Sequence, residues 1–266
     1  MGNPAFLFCG FRFLSCPWSC GFHHRADWAK DRVATPVHRT MILSTSAPPD
    51  SGNQQLVLAS GSPRRREILS LLGILFRVVV SDVDEEALHR STPRATALAV
   101  ALAKAQAVME LCDLGTPVLA ADTVVTLDGE LLLKPGNVAE AITMLTRLSG
   151  RTHEVITGVA LGEAGGAVDL RASAALVTFR SIHPSEIHAY ASTGDPMDKA
   201  GGYGIQSGAG QFVADLQGDF YTVMGLPPEL VAEMLGHHPA AGMARLAARA
   251  LPRPRFPLPH SPAAES

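Results

Sequence analysis

The period of apolar positions changes along this chain, and each change marks an element. Residues 1–50 show neither a helical nor a strand period, although Phe6, Phe8, Phe11, Phe13, Trp18, Phe22 and Trp28 all fall there. From Gln55 the pattern sharpens. Residues 55–60, with the apolar run Leu56-Val57-Leu58-Ala59, predict a strand. Ser62 as cap and Pro63 as first residue then predict a helix, with Ile68, Leu71 and Leu72 as its apolar face and Gly73 as its stop. A second strand is predicted over 76–80. Thr92 and Pro93 open a long helix to about Cys112, a strand follows over 118–121, and Asp128-Gly129 turns a hairpin between Val124 and Leu133. Asn137 caps a helix ending at Gly150, two longer strands follow over 154–161 and 168–179, and 184–192 predicts a short helix. Residues 201–210 predict a glycine-rich loop, 212–223 a hairpin through Gly218-Asp219, and 228–235 a last helix. β-branched runs alternating with helical periods predict the α/β class.

These signals define a domain over 51–238. Residues 1–50 read as an extension that is disordered or translated from too early a start, with Met41 as an alternative initiator; Cys16, Cys20, His23 and His24 within it match no common zinc spacing. Beyond His238 the chain holds six of its 19 prolines and four arginines against one acid, which predicts a flexible tail with a short amphipathic helix near 243–251.

Composition narrows the function classes. With 47% apolar and 18% charged residues over 266 positions the chain buries a real core. A net charge of −3 argues against a general nucleic-acid binder, four cysteines against a secreted disulfide scaffold, and charge interrupts every apolar run before membrane-span length. A soluble, cytoplasmic protein is expected. Basic charge is carried by 18 arginines and only four lysines.

Ser60-Gly61-Ser62-Pro63-Arg64-Arg65-Arg66 places three guanidiniums at the positive end of a helix dipole, a tension that a bound anion relieves. Arg64 and Arg65 read as a phosphate clamp and Arg66 as solvated. Lys104 is the only charge in an apolar helical stretch, so it either snorkels to water or meets an anion. Asp122, placed at the carboxyl end of a buried strand beside Thr123, suits a general base or a Mg²⁺ or Mn²⁺ ligand, with a structural salt bridge as the alternative. Lys134 returns on the next hairpin arm, close enough to pair with Asp122 or a phosphate. Glu85 and Glu86 follow the second strand, and the 198–206 stretch combines charge, glycines and the Gln206 amide. His153 lacks the second histidine of a metalloprotease motif and reads as structural, and Cys112 as packing. No Walker loop, dinucleotide fingerprint or nucleophile elbow is present.

Seven blocks in order carry a resemblance: LASGSPRRREIL, SDVDE, AADTVV, Leu133-Lys134-Pro135, LSGRTHEVITGV, DKAGGYGIQ and GDFYTVMGLP. Together they resemble the Maf-like nucleoside triphosphate pyrophosphatases over about 180 residues, leaving out 1–50 and the tail. The resemblance implies a mixed β-sheet flanked by helices, in two lobes with a central cleft. It implies hydrolysis of dTTP and UTP to the monophosphate and pyrophosphate, since Arg64, Thr123 and Gln206 match the branch with those substrates. It further implies Asp122 as catalytic acid or base, with Ser60, Arg65, Glu85, Lys104 and Lys134 lining the phosphate and metal site. Glu85 and Asp122 would hold a divalent cation, Mg²⁺ or Mn²⁺. The expected partner is a nucleoside triphosphate, with no nucleic acid or membrane, and a homodimer is compatible with it. Two alternatives stay open: a nucleotide-binding regulator of cell-division septum formation, and a housecleaning enzyme for modified pyrimidine triphosphates. Ala103 and Ser207 depart from the usual glutamate and glycine at their positions.

Overall fold

The structure, a computed structural model, describes residues 42–43, 55–236 and 241–257. The expectations for residues 1–41 and 44–54 lie outside them. Eight strands among the described residues form one mixed sheet. β1 (Ile42–Leu43) is an antiparallel edge on β3 (Phe76–Val79), and β3 runs parallel to β2 (Leu56–Leu58), joined to it through α1 (Pro63–Leu71). After α2 (Pro93–Met109) the chain enters β4 (Pro117–Leu127), parallel to the other side of β2, then turns through Asp128-Gly129 into β5 (Glu130–Leu132). α3 (Val138–Leu148) leads to β6 (Thr152–Glu163), which pairs along almost all of β4, and to β7 (Val168–Phe179). α4 (Pro184–Ala191) and three 3-10 turns precede β8 (Val213–Gln217), the far edge; α5 (Phe220–Met224), α6 (Pro228–Met234) and α7 (Ala241–Ala250) follow.

Local chemistry explains most boundaries. Thr92 and Asn137 accept the Ala95 and Glu140 amides as side-chain caps, and Pro93 occupies the first turn of α2. Ser62 sits at the cap position of α1 but makes no side-chain cap bond; its own amide instead donates to Ser60 Oγ at 3.3 Å. The first turn of α1 is left uncapped.

Two predicted elements differ from the structure. The strand expected to end at Ala121 continues to Leu127, because β6 pairs with it throughout and β5 supports its far end; Asp122 is therefore mid-strand. The hairpin expected over 212–223 has only its first arm. The Asp219 carboxylate accepts the Thr222 amide at 2.9 Å and starts α5, whose Phe220, Tyr221 and Met224 are buried. The short amphipathic helix expected near 243–251 is α7, and the segment packs: Ala241, Ala244, Ala248 and Leu251 are buried in the main core and Phe256 stacks on Phe220.

α2 lies close on one sheet face because its contact line is made of small residues. Ala97, Ala101 and Ala105, four apart, are fully buried. Gly158 on β6 completes the fit, since a Cβ there would stand 2.5 Å from the Ala97 carbonyl oxygen. On the opposite face, His153, Phe179, Tyr203, Phe212 and Tyr190 pack edge to face. His153 shares a 2.8 Å hydrogen bond with the Tyr203 hydroxyl, and burial pushes its pKa down to about 4.

Gly158→Ala is expected to destabilise the protein by roughly 1–3 kcal/mol in urea unfolding, because two backbones must separate. His153 binds a proton more readily in the unfolded chain, so its contribution to stability is present above an unfolded pKa near 6.5 and is lost as pH falls toward about 4. Between pH 7 and pH 5 the stability should drop by about 2 kcal/mol more in the wild-type protein than in His153→Phe.

Candidate active site

The site begins with an interruption in the sheet. β4 pairs with β2 through Val118 and Leu119, the Ala59 amide adding a last bond to the Leu119 carbonyl, and with β5 only from Val125 onward. Between Leu119 and Val125 that edge of β4 has no strand neighbour among the described residues, while its other edge stays paired to β6. Successive side chains of a strand point to opposite faces. Asp122 therefore belongs to the α2 face and Thr123 to the α1 face, and the opening lets one ligand reach both.

On the α2 face, Lys104 extends from the buried line of the helix, one to two turns beyond Ala97 and Ala101. Its Nζ donates to Asp122 Oδ1 at 2.8 Å and lies 2.8 Å from Glu85 Oε1, with its side chain 12% exposed. The sequence left two readings for this lysine, and the structure gives it carboxylate partners. Asp122 is 7% exposed. Lys134, mostly exposed, pairs with Glu85 at 3.4 Å rather than with Asp122. Burial alone would raise the Glu85 pKa, but the hydrogen bond and charge of Lys104, with Lys134 behind it, bring it below the usual value.

On the α1 face, Arg65 is buried and fixed at three points. It donates from Nε to the Gly225 carbonyl at 2.8 Å, from Nη1 to Ser60 Oγ at 3.1 Å and from Nη2 to Thr123 Oγ1 at 3.2 Å. Three of the five guanidinium N–H groups are thus engaged and two remain. Burial lowers the Arg65 pKa, and the charge of Asp122 opposes that change. Ser60 Oγ accepts from both Arg65 and Ser62, so its proton is what it has left to offer.

A hydroxyl relay supports this arginine. Thr157, opposite Thr123 on β6, gives its single proton to the Thr222 carbonyl at 2.7 Å. In the 2.9 Å contact between the two threonines, Thr123 must therefore be the donor. With its proton used there and its oxygen accepting from Arg65, Thr123 is committed to the framework rather than free to donate to a base. Neither Thr157 nor the α5 carbonyls stood out in the sequence; only the register of β4 on β6 brings them in.

Arg64 and the 195–206 segment face each other across the cleft. Arg64 Nη1 donates to Asp198 Oδ2 at 3.3 Å. Lys199, buried, contacts Asp195 at 3.0 Å and Asp198 at 2.6 Å, and Asp195 also accepts from Tyr190 and Ser207. Ser207, noted as unusual, therefore has a structural partner. Gln206 is exposed on the same wall. Ser60, Arg64, Arg65, Glu85, Lys104, Asp122, Thr123, Lys134 and Gln206 all line one cleft of about 350 Å³. Arg66 and Glu86 lie outside it, and His153 serves the core. Among the described residues no group of three or more His, Cys, Asp or Glu side chains forms a metal cage, and no helix is long and apolar enough to cross a membrane.

The sequence that builds this cleft is similar to that of known proteins. The family model for Maf-like proteins matches residues 55–238. The dTTP/UTP pyrophosphatase of Symbiobacterium thermophilum is 49% identical over 68% of this chain and 93% of its own length. The dTTP/UTP pyrophosphatase of Salmonella typhimurium is 43% identical over 68% of this chain and 92% of its own. A solved structure of a HAM1 protein from Coxiella burnetii is similar at a TM-score of 0.36 and 21% identity, covering 47% of this chain and 72% of that one. Every block that forms the cleft lies within the matched range, and the chain belongs to the Maf-like protein family.

Proposed function

We propose that this protein hydrolyses dTTP and UTP between the α and β phosphates, releasing the nucleoside monophosphate and pyrophosphate. The observation that carries the reading is the convergence of Arg64, Arg65, Lys104 and Lys134 with Asp122 on one triphosphate-sized cleft. The names of the relatives support the substrate class. A cytoplasmic location, beside the nucleotide pool, belongs to the same proposal.

In this reading Ser60, Arg65 and Lys134 bind the phosphate chain and Arg64 exchanges Asp198 for it. Asp122 holds a water against the α-phosphorus and accepts its proton as the new P–O bond forms. The bond from the α-phosphorus to the bridging oxygen breaks, and pyrophosphate leaves with that oxygen. Lys104 stays beside Asp122 and, with the arginines, opposes the negative charge that grows on the leaving group. Thr123 acts through Arg65, which leaves Gln206 to meet the base end.

Glu85 and Asp122 share the Lys104 ammonium, with Lys134 also on Glu85, and a Mg²⁺ or Mn²⁺ ion takes such carboxylate oxygens together with substrate phosphates. Glu85 and Asp122 would hold the ion, which would supply charge neutralisation and a more acidic water.

Purified protein given dTTP or UTP with Mg²⁺ should release one pyrophosphate per monophosphate, whereas purine triphosphates should be poor substrates. Asp122→Asn should lower turnover on dTTP at least about a hundredfold, the scale of losing a positioned base, while substrate still binds. Near-normal turnover in that variant would refute the assignment. Glu85→Gln should raise the Mg²⁺ concentration needed for half-maximal rate roughly tenfold, a loss on the order of one charged contact; an unchanged Mg²⁺ dependence would remove Glu85 from the cation site.

A further inference from the structure

Residues 241–257 lie beyond the part of the chain that matches the family, yet they pack on the element that anchors Arg65. Three contacts join this segment to α5. The Tyr221 hydroxyl donates to the Pro252 carbonyl at 2.9 Å, the Phe256 ring stacks on Phe220, and Arg253 stands 4.0 Å from Asp219, the carboxylate that caps α5. Arg253 also pairs with Glu229 at 2.6 Å, which ties the segment to α6.

α5 is only five residues long, too short to hold its own geometry. It and the residue that follows it nevertheless supply two acceptors to the site: the Gly225 carbonyl to Arg65 and the Thr222 carbonyl to Thr157, which in turn fixes Thr123. Fit there is tight, since a Cβ on Gly225 would stand 3.0 Å from Thr123 Oγ1 and 3.4 Å from Arg65 Nε. Burial raises the pKa of Asp219, and Arg253 is the cation that favours its charged form.

We propose that residues 251–257 are an intramolecular brace that fixes α5 and so positions Arg65 for phosphate, with Arg253, Tyr221 and Phe256 as positioning residues. The brace rests on the pyrophosphatase reading for its purpose. It acts through Arg65, and its loss shows in substrate binding and not only in stability.

The test is the full-length Arg253→Ala/Phe256→Ala variant, which leaves α7 intact, measured alone and combined with Arg65→Ala. In the Arg65 background of the wild type, the double substitution should raise KM for dTTP about three- to tenfold, and weaken the binding of inorganic tripolyphosphate in calorimetry by a similar factor. Added to Arg65→Ala, it should change neither quantity further, because residues acting through one another are not additive. Arg253→Lys with Phe256→Leu should restore most of the binding. A lower Tm with unchanged KM and unchanged tripolyphosphate affinity would overturn the brace, as would full additivity with Arg65→Ala. Should the double variant fail to fold, Arg253→Ala alone, at a partly exposed position, is held to the same criteria with a smaller shift. Wild-type protein that binds tripolyphosphate but releases no pyrophosphate from dTTP would sink the enzymatic reading instead, with the binding arm still deciding the brace.

Discussion

Every functional contact in this protein depends on β4 losing a neighbour for a few residues while staying in the sheet. A strand with partners on both edges would keep Asp122 and Thr123 on faces that no single ligand could reach. One with no partner at all would not hold either side chain still. β6 supplies the rigidity along one edge and the separation of β2 from β5 supplies the opening. The parallel strand β2 ends at this opening and turns into α1, which brings the first turn of that helix and its arginines to the same place. Ligands in α/β sheets gather outside the carboxyl ends of parallel strands for this geometric reason.

Charge placement follows from packing on each side. The Ala97, Ala101 and Ala105 line with Gly158 brings α2 close enough that Lys104 meets Asp122 at hydrogen-bond distance. A bulkier contact line would push the ammonium away from its carboxylates and leave two acids facing each other. On the other side Arg65 is held by a carbonyl and two hydroxyls, a neutral set that fixes the guanidinium without cancelling its charge. The two cations differ accordingly: Lys104 is balanced by carboxylates, and Arg65 keeps a net charge for an incoming anion. Buried ion pairs and buried lone cations are both costly, and under the proposed function the polyanionic substrate is what such a cleft would serve.

Much of this was legible in the sequence, for reasons tied to particular residues. Pro63, Thr92 and Asn137 announce helix starts through local sterics and capping, and Asp128-Gly129 announces its turn through positive φ at both residues. The arginine run at a helix start pointed to an anion, and the solitary Lys104 in an apolar helix to either water or an anion as its partner. What sequence reading missed is non-local. Asp122 seemed to end a strand because the pairing that continues β4 comes from β6 more than thirty residues later. Asp219 after a glycine looked like a hairpin turn, whereas its carboxylate caps a helix. The hydrogen-bond order from Arg65 through Thr123 and Thr157 to α5 joins four segments by register alone, and the docking of α7, itself expected as an amphipathic helix, onto the main core is likewise a tertiary contact.

The central claim is that this opening in the sheet directs water to the α-phosphorus of a nucleoside triphosphate. Hydrolysis of dTTP in ¹⁸O-water, with the products resolved by mass spectrometry, tests it most directly. The account predicts one ¹⁸O atom in thymidine monophosphate and none in pyrophosphate. Label in the pyrophosphate, or release of orthophosphate as the first product, would contradict it.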